Sequence, residues 1–422
     1  MALISYLNEA LKTKVFSETF DITNARHWKH IETLAQQLYE NAFNCNEITL
    51  LENRITTDKK TNPMMLQIAV KVALSKKLLA SINKPVHISI IFAVYKENRR
   101  ILTKEEDPLG EDFLIRKIKQ MQFLTDEFSN ISWDMYVVDD GCPEGSGNIA
   151  RRILERTKTI NTSNVKVAFL QEAIEQHPEI VKPLRSTDES RKGGSIEYGM
   201  YLATQQIKEN HVVIFTDADL STHLGQSGLL VNHIVTNSKK AAIGSRREPK
   251  SVVVKKGTRN TRGKLFIYLW KRLIPQLGYI TDTQCGFKAF DAGIVNQIIN
   301  DTIEKKFAFD IELLLKTELL EHMSIQKVPI AWYDSEAAST TTDIQPYLSM
   351  LQATAAMYRK YLPANPLSDE FADFIERLTE AQWQKLVDNV PEKIASGEPS
   401  TFDHFDEVPV NHLKNVIADS QV

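Results

Sequence analysis

The sequence predicts an α/β protein: a mostly parallel sheet with helices on both faces and helical additions at each end. Three observations lead there. Through the middle of the chain, short β-type apolar runs alternate with stretches of helical periodicity, which is the rhythm of repeated strand–helix units. The runs are apolar at nearly every position, as strands covered on both faces must be. Residues 1–84, by contrast, contain no glycine and only Pro63, and their apolar residues recur at helical spacing.

Taken in order, HWKHIETLAQQLYENAF and MMLQIAVKVALSKKLLASI read as helices of an N-terminal region, residues 1–84. VHISIIFAVYKE is the first strand, and FLIRKIKQMQFLTDEF the helix after it. WDMYVVDDGCPEGSG repeats strand and turn before the helix NIARRILERT, and VKVAFL is a third strand. RKGGSIEYGMYLATQQI reads as a glycine turn opening a helix, then HVVIFTDADLST as a buried strand that ends in carboxylates. KAAIGSR and IQKVPIAWY are further strands; DTQCGFKAF reads as a turn, and FAFDIELLLKTELLEHM as an extended end leading into a helix. The expected division is a sheet domain over 85–343, C-terminal helices over 344–395 and a mobile tail over 396–422.

Composition narrows the class. A formal net charge of −3 over 422 residues provides no basic field for nucleic acid. Three cysteines, Cys45, Cys142 and Cys285, lack the spacing of a zinc site or a disulfide framework. The N-terminus lacks the succession of a secretory signal, and no apolar run approaches the roughly 20 residues of a spanning helix. The expected location is cytoplasmic, with membrane contact only peripheral. One segment, TRGKLFIYLWKRLIPQLGY, sets Arg262, Lys264, Lys271 and Arg272 among Phe266, Tyr268 and Trp270. It reads either as a helix packed on the domain or as one lying on an anionic bilayer.

The chemistry centres on Asp217 and Asp219. They follow a buried strand with only Ala218 between them, so period-two geometry sends both to one side, at the strand end where open α/β sheets hold ligands. Two adjacent carboxylates invite a hard divalent cation bridging to a diphosphate, although the same triplet could simply end a strand and cap a helix.

Seven motifs fall in one order: HISIIFAVYKE, VVDDGCPEGSG, RKGGSIEYGM, TDADLS, GSR, DTQCGFKAF and FAFDIELL. This set resembles the inverting, nucleotide-sugar-dependent glycosyltransferases of the GT-A fold, family two, particularly dolichyl-phosphate glucosyltransferases and related polyprenyl-phosphate sugar transferases. It covers residues 86–340. The resemblance implies a Rossmann-like GT-A domain and a UDP-sugar donor, with Ala93, Tyr95, Glu97 and Asp140 at the nucleoside and Lys192 and Gly193 near the base or phosphate. Asp217 would contact the nucleotide, Asp219 would coordinate Mg²⁺ or Mn²⁺ with Asp217 as second ligand, and Arg246 would approach the diphosphate, joined by Arg259 and Arg262. Asp282, Thr283, Gln284 and Gly286 would form an acceptor-side or sugar-binding turn. Asp310 is the expected general base and Glu312 the second choice, both directed one way if the segment is extended. The acceptor is a hydroxyl or a polyprenyl phosphate. DADLST lacks the glycine of the dolichyl enzymes' DADG, and the spanning helices of many relatives have no counterpart here. A nucleotidylyltransferase would need a glycine-rich loop after the first strand, where AVYKENRR has none; a non-catalytic nucleotide-sugar-binding protein should lack the ordered carboxylate and arginine set.

Overall fold

The computed structural model of the chain describes residues 18–57, 63–254, 260–334, 346–402 and 408–419, with positions 3, 6, 7, 9, 12 and 16 before them. Helices α1 (Ala25–Asn41), α2 (Cys45–Thr57) and α3 (Met64–Ala80) come first. Asn24 caps α1 by accepting from Arg26 N at 2.9 Å. The sheet domain follows as β1 (Val86–Val94), α4 (Phe113–Thr125), β2 (Ile131–Asp139), α5 (Ser146–Arg156), β3 (Val165–Phe169), α6 (Leu170–Gln176), α7 (Gly193–Ala203), β4 (His211–Thr216), α8 (Ser227–Val235) and β5 (Ala241–Ser245). Then come β6 (Val252–Val254), α9 (Asn260–Leu273), β7 (Phe287–Asp291), α10 (Ala292–Ile299), α11 (Phe309–Leu320), β8 (Ile325–Pro329) and β9 (Ala331–Tyr333).

Seven strands form one sheet in the order β3-β2-β1-β4-β7-β5-β8. All neighbours are parallel except β7, which runs antiparallel to β4 and β5. β1 and β4 are central and apolar, so the sheet needs cover on both sides. The chain leaves β1 towards β2 and β3 and returns on the other flank as β4, which puts the crevice for a ligand at the C-terminal tips of β1, β2 and β4. Three details differ from the sequence reading. FKAFD, read as part of a turn, is the antiparallel strand β7; IQKVPIAWY divides at Ile330 into β8 and β9, the latter pairing with β6; and FAFDIE is helical from Phe309.

The N-terminal helices cover one face. α3 is buried between α1 and α2 on one side and α8 on the other. A Cβ at Gly228 would stand 2.4 Å from Ser75 O, so α8 can lie this close to α3 only with glycine there. The buried lysines of α3 are paired: Lys71 meets Glu52 at 2.5 Å, and Lys76 donates to Gln36 Oε1 and Phe123 O at 2.7 and 3.0 Å.

The C-terminal helices are α12 (Tyr347–Tyr361), α13 (Pro366–Glu376), α14 (Glu380–Asp388), α15 (Glu392–Ser396) and α16 (Val410–Asp419). They enclose α9, and this corrects two expectations. The basic and aromatic segment is no lipid-facing surface: Tyr268 and Trp270 are fully buried, and Lys264, Lys271 and Arg272 donate to Ala395 O, Pro399 O and Phe402 O, each at 2.9 Å. These lysine and arginine heads satisfy chain-end carbonyls that would otherwise be buried without donors. Nor are residues 396–422 a mobile tail throughout, since Phe402, Val408, Val410 and Leu413 are buried. Changing Lys271 and Arg272 together to Glu should therefore unfold the C-terminal helices, with a loss on the order of 3–5 kcal/mol in denaturant titration. A double variant as stable as the wild type would contradict this packing. Among the described residues, no helix is long and apolar enough to cross a membrane.

Candidate active site

β2 delivers two aspartates with different tasks. Asp139 closes the following turn, accepting from Cys142 N at 2.7 Å and Gly147 N at 2.6 Å. Asp140 reaches across to the start of α7, accepting from Ser195 Oγ at 2.7 Å and Lys192 N at 2.9 Å. Burial raises the pKa of Asp140 in spite of these donors. Its oxygens keep further acceptor sites for a ligand. Lys192 stands at a φ of 92° just before α7, with Gly193 as the first helical residue. That conformation is unusual for a side-chain-bearing residue.

The ammonium of Lys192 pairs with Asp217. Burial lowers the lysine's pKa, but Asp217 and Asp310 outweigh it and raise it; burial likewise raises that of Asp217, and Lys192 brings it below the usual range. β4, buried at all six positions, stops at Thr216, and burial alternates only after it, with Asp217 and Asp219 half-exposed and Ala218 and Leu220 buried. Both carboxylates thus face the same side. A Cβ at Gly286 would lie 2.3 Å from the Asp217 carboxylate, and Gly286 O accepts from Asp217 N at 3.0 Å, so glycine there is what admits this aspartate. Asp219 accepts from Ser221 N and Oγ at 3.0 and 2.5 Å through one oxygen, Oδ1.

Among the described residues no three His, Cys, Asp or Glu side chains form a metal cluster. A half-exposed carboxylate such as that of Asp219 is the donor type that hard divalent cations take. Asp217, by contrast, is engaged by Lys192.

On the β5 side, Arg246 clasps Asp282 through Nε and Nη2 at 2.8 and 2.6 Å, and its backbone N donates to the same carboxylate at 2.7 Å. Burial opposes the ionised carboxylate of Asp282, but Arg246 outweighs it and lowers the pKa strongly. Asp282 therefore holds Arg246, while Thr283 is buried beside it. Burial pushes the Cys285 thiol up to about 12, so it stays protonated. Gln284 Nε2 reaches Asp310 Oδ1 at 3.4 Å, and Lys288 Nζ meets Asp310 Oδ2 at 2.8 Å. Arg262 is half-buried, and Arg259 lies outside the described residues.

Asp310 and Glu312 do not share a direction. They sit in the first turn of α11, where residues two apart point to nearly opposite sides. Asp310 faces Gln284 and Lys288, but Glu312 accepts from Ile303 N and Glu304 N at 2.8 Å and from Tyr361 Oη at 2.5 Å. Glu312 is spent on pinning a loop and α12 to α11.

At the tip of β1, Ala93 and Tyr95 are half-buried. Glu97 is buried against Arg100 at 3.0 Å, and the Arg100 guanidinium also binds Glu111 at 3.1 Å. Burial pushes Glu97 up to about 7, opposed by Arg100 and reinforced by Asp219, Glu111 and Asp217. Glu197, buried beside Lys305, is likewise raised by burial to about 7. These two groups bind protons more tightly folded than unfolded, so their stabilisation is complete below the ordinary glutamate pKa and is lost as pH rises through 7. The ligand-free protein should be more stable at pH 5.5 than at pH 8, and Glu97→Gln and Glu197→Gln should each remove up to about 2 kcal/mol of that difference in urea titrations. Unchanged slopes in both variants would refute it.

Sequence reasoning missed Lys288 and Lys117. Lys288 stands inside an apolar run. Lys117 falls on the apolar stripe of α4 with Phe113, Leu114, Ile118, Met121 and Leu124, a position where an unpaired charge is costly enough to signal a task.

A mostly parallel sheet with one antiparallel strand brings carboxylates and a lysine together at its strand tips, where open α/β sheets hold their ligands. No protein-family profile matches the chain. It is 26% identical over 295 residues to a dolichyl-phosphate beta-glucosyltransferase of Trichomonas vaginalis, covering 67% of this chain and 79% of the relative. It is 22% identical over 271 residues to the dolichyl-phosphate beta-glucosyltransferase of Saccharomyces cerevisiae, covering 61% and 70%. Glucosyl-3-phosphoglycerate synthase of Mycobacterium tuberculosis superposes with a TM-score of 0.45 at 15% identity, covering 70% of this chain and 86% of that one. Over about two thirds of its length the chain is thus similar to glycosyltransferases named for beta-glucosyl transfer to dolichyl phosphate, the group that its motif order resembles.

Proposed function

We propose that the protein transfers a hexose, glucose, from a UDP-sugar with inversion at the anomeric carbon, in a reaction that depends on Mg²⁺ or Mn²⁺. The observation that carries this is the junction of Asp140, Lys192, Asp217 and Asp219 at the tips of β2 and β4. Similarity to enzymes named for beta-glucosyl transfer to dolichyl phosphate favours glucose. In this reading Ala93, Tyr95, Glu97 and Asp140 line the nucleoside, and Lys192 with Gly193 lies beside the phosphates. A divalent ion at Asp219 would neutralise the charge that grows on the leaving diphosphate. Arg246, held by Asp282 through Nε and Nη2, retains its Nη1 donors for phosphate oxygens.

The acceptor reading has two forms. The relatives' names favour a polyprenyl phosphate, already a nucleophile at neutral pH. The contact of Asp310 with Gln284 favours a hydroxyl acceptor instead, with Asp310 removing its proton from the face opposite UDP and Asp282, Thr283, Gln284 and Gly286 shaping its turn. Incubating the protein with a panel of nucleotide sugars, Mn²⁺ and either dolichyl phosphate or hydroxyl acceptors should release UDP fastest from UDP-glucose. Faster release from another donor would overturn the donor assignment, and full turnover in EDTA the metal.

A further inference from the structure

Helix α4 packs on β2 and on the turn Leu224–Gln226 that follows the Asp219 segment. Gln120 Oε1 accepts from Leu224 N at 3.0 Å and fixes the helix to that segment. One turn earlier lies Lys117, wholly buried, with its ammonium making no hydrogen bond among the described residues. The Phe92 ring lies 5.7 Å away. Burial pulls its pKa down to about 8, and Asp219, then Asp217 and Glu111, pull the other way. Other buried cations around the sheet are paired: Arg100 with Glu97 and Glu111, Lys288 with Asp310, Lys305 with Glu197. An ammonium buried without such a partner weakens the fold, so Lys117 is not accounted for by stability.

We propose that Lys117 is a positioning residue of the donor site, a built-in positive charge that offsets Asp217 and Asp219 and draws a nucleoside diphosphate to them. This rests on the donor-site reading above. Two consequences have opposite signs. A fixed cation strengthens binding of the diphosphate anion, and it weakens binding of a free divalent cation at Asp219.

The test is Lys117→Met, which keeps length and removes charge, beside Lys117→Arg, which keeps charge. Lys117→Met should melt at the wild-type temperature or above. Its affinity for UDP in EDTA, by calorimetry, should fall about tenfold, while its affinity for Mn²⁺ without nucleotide, by electron paramagnetic resonance, should rise about as much. Lys117→Arg should restore both values towards wild type. A Lys117→Met protein with lower thermal stability and unaltered UDP and Mn²⁺ affinities would reduce Lys117 to a packing role and overturn the inference. Should the wild type bind UDP neither with Mn²⁺ nor in EDTA, the donor-site reading itself falls, and the inference with it.

Discussion

Asp219→Ala is expected to lower glycosyl transfer on the order of 10³-fold and to remove the metal-supported part of UDP binding, with the fold intact. On the proposed function the loss would be large, because the diphosphate would leave with more negative charge than it carries in the bound donor, and a cation held by Asp219 would act mainly in the transition state. Stability should hardly change, because two effects oppose each other. Ser221 N and Oγ lose their acceptor, at a cost of about 1 kcal/mol. Against this, removing one of several carboxylates that already raise the pKa of Glu97 relieves repulsion. Asp219→Asn sharpens the test, since its amide oxygen can still accept from Ser221 while its ligand strength for a hard cation falls. Transfer should stay low in both variants, with melting curves that match the wild type. Equal UDP affinity in the wild type with and without EDTA would sink the metal role.

The difference between Asp219 and its neighbours shows what the sequence made legible. The central parallel strands β1 and β4 were readable because each is a nearly continuous apolar run closed by a polar turn, and the carboxylates after β4 followed from where that run stops. β7 was not, because FKAFD follows directly on the turn DTQCG and carries the buried Lys288, whose charge is compensated by Asp310, distant in sequence, with Cys285 O as a second acceptor. The direction of Glu312 was lost for a related reason. A two-residue spacing gives opposite answers in a strand and in a helical turn, and the start of α11 decides between them through contacts with Ile303 N, Glu304 N and Tyr361 that no local pattern displays. For α9 the difficulty was ambiguity of composition. Lysines and aromatics at helical spacing suit a bilayer surface as well as a packed interface, and the acceptors that decide, Ala395 O, Pro399 O and Phe402 O, lie far along the chain.

Asp310→Asn is the second large effect, and its outcome depends on the acceptor. For a hydroxyl acceptor, loss of the base should cost roughly 10²- to 10⁴-fold in transfer, remove the acidic limb of the pH–rate profile and leave UDP-sugar affinity unchanged. For a phosphate acceptor, transfer should stay near normal. The substitution also leaves Lys288 buried without its carboxylate and with Cys285 O at 2.5 Å as a remaining acceptor, a change that can cost about 3–5 kcal/mol. The informative comparison is therefore Asp310→Asn/Lys288→Met against Lys288→Met, at a temperature where melting curves show both folded. Glu312→Gln is the control, and the structure gives it a definite expectation. Its carboxylate accepts from Ile303 N, Glu304 N and Tyr361 Oη, so the variant should melt at lower temperature and retain transfer per folded molecule. Full activity on a hydroxyl acceptor in the Asp310 double variant, with Glu312→Gln inactive while folded, would move the base to Glu312. Full activity in both would leave no base in this helix turn, and would favour a phosphate acceptor whose nucleophile needs none.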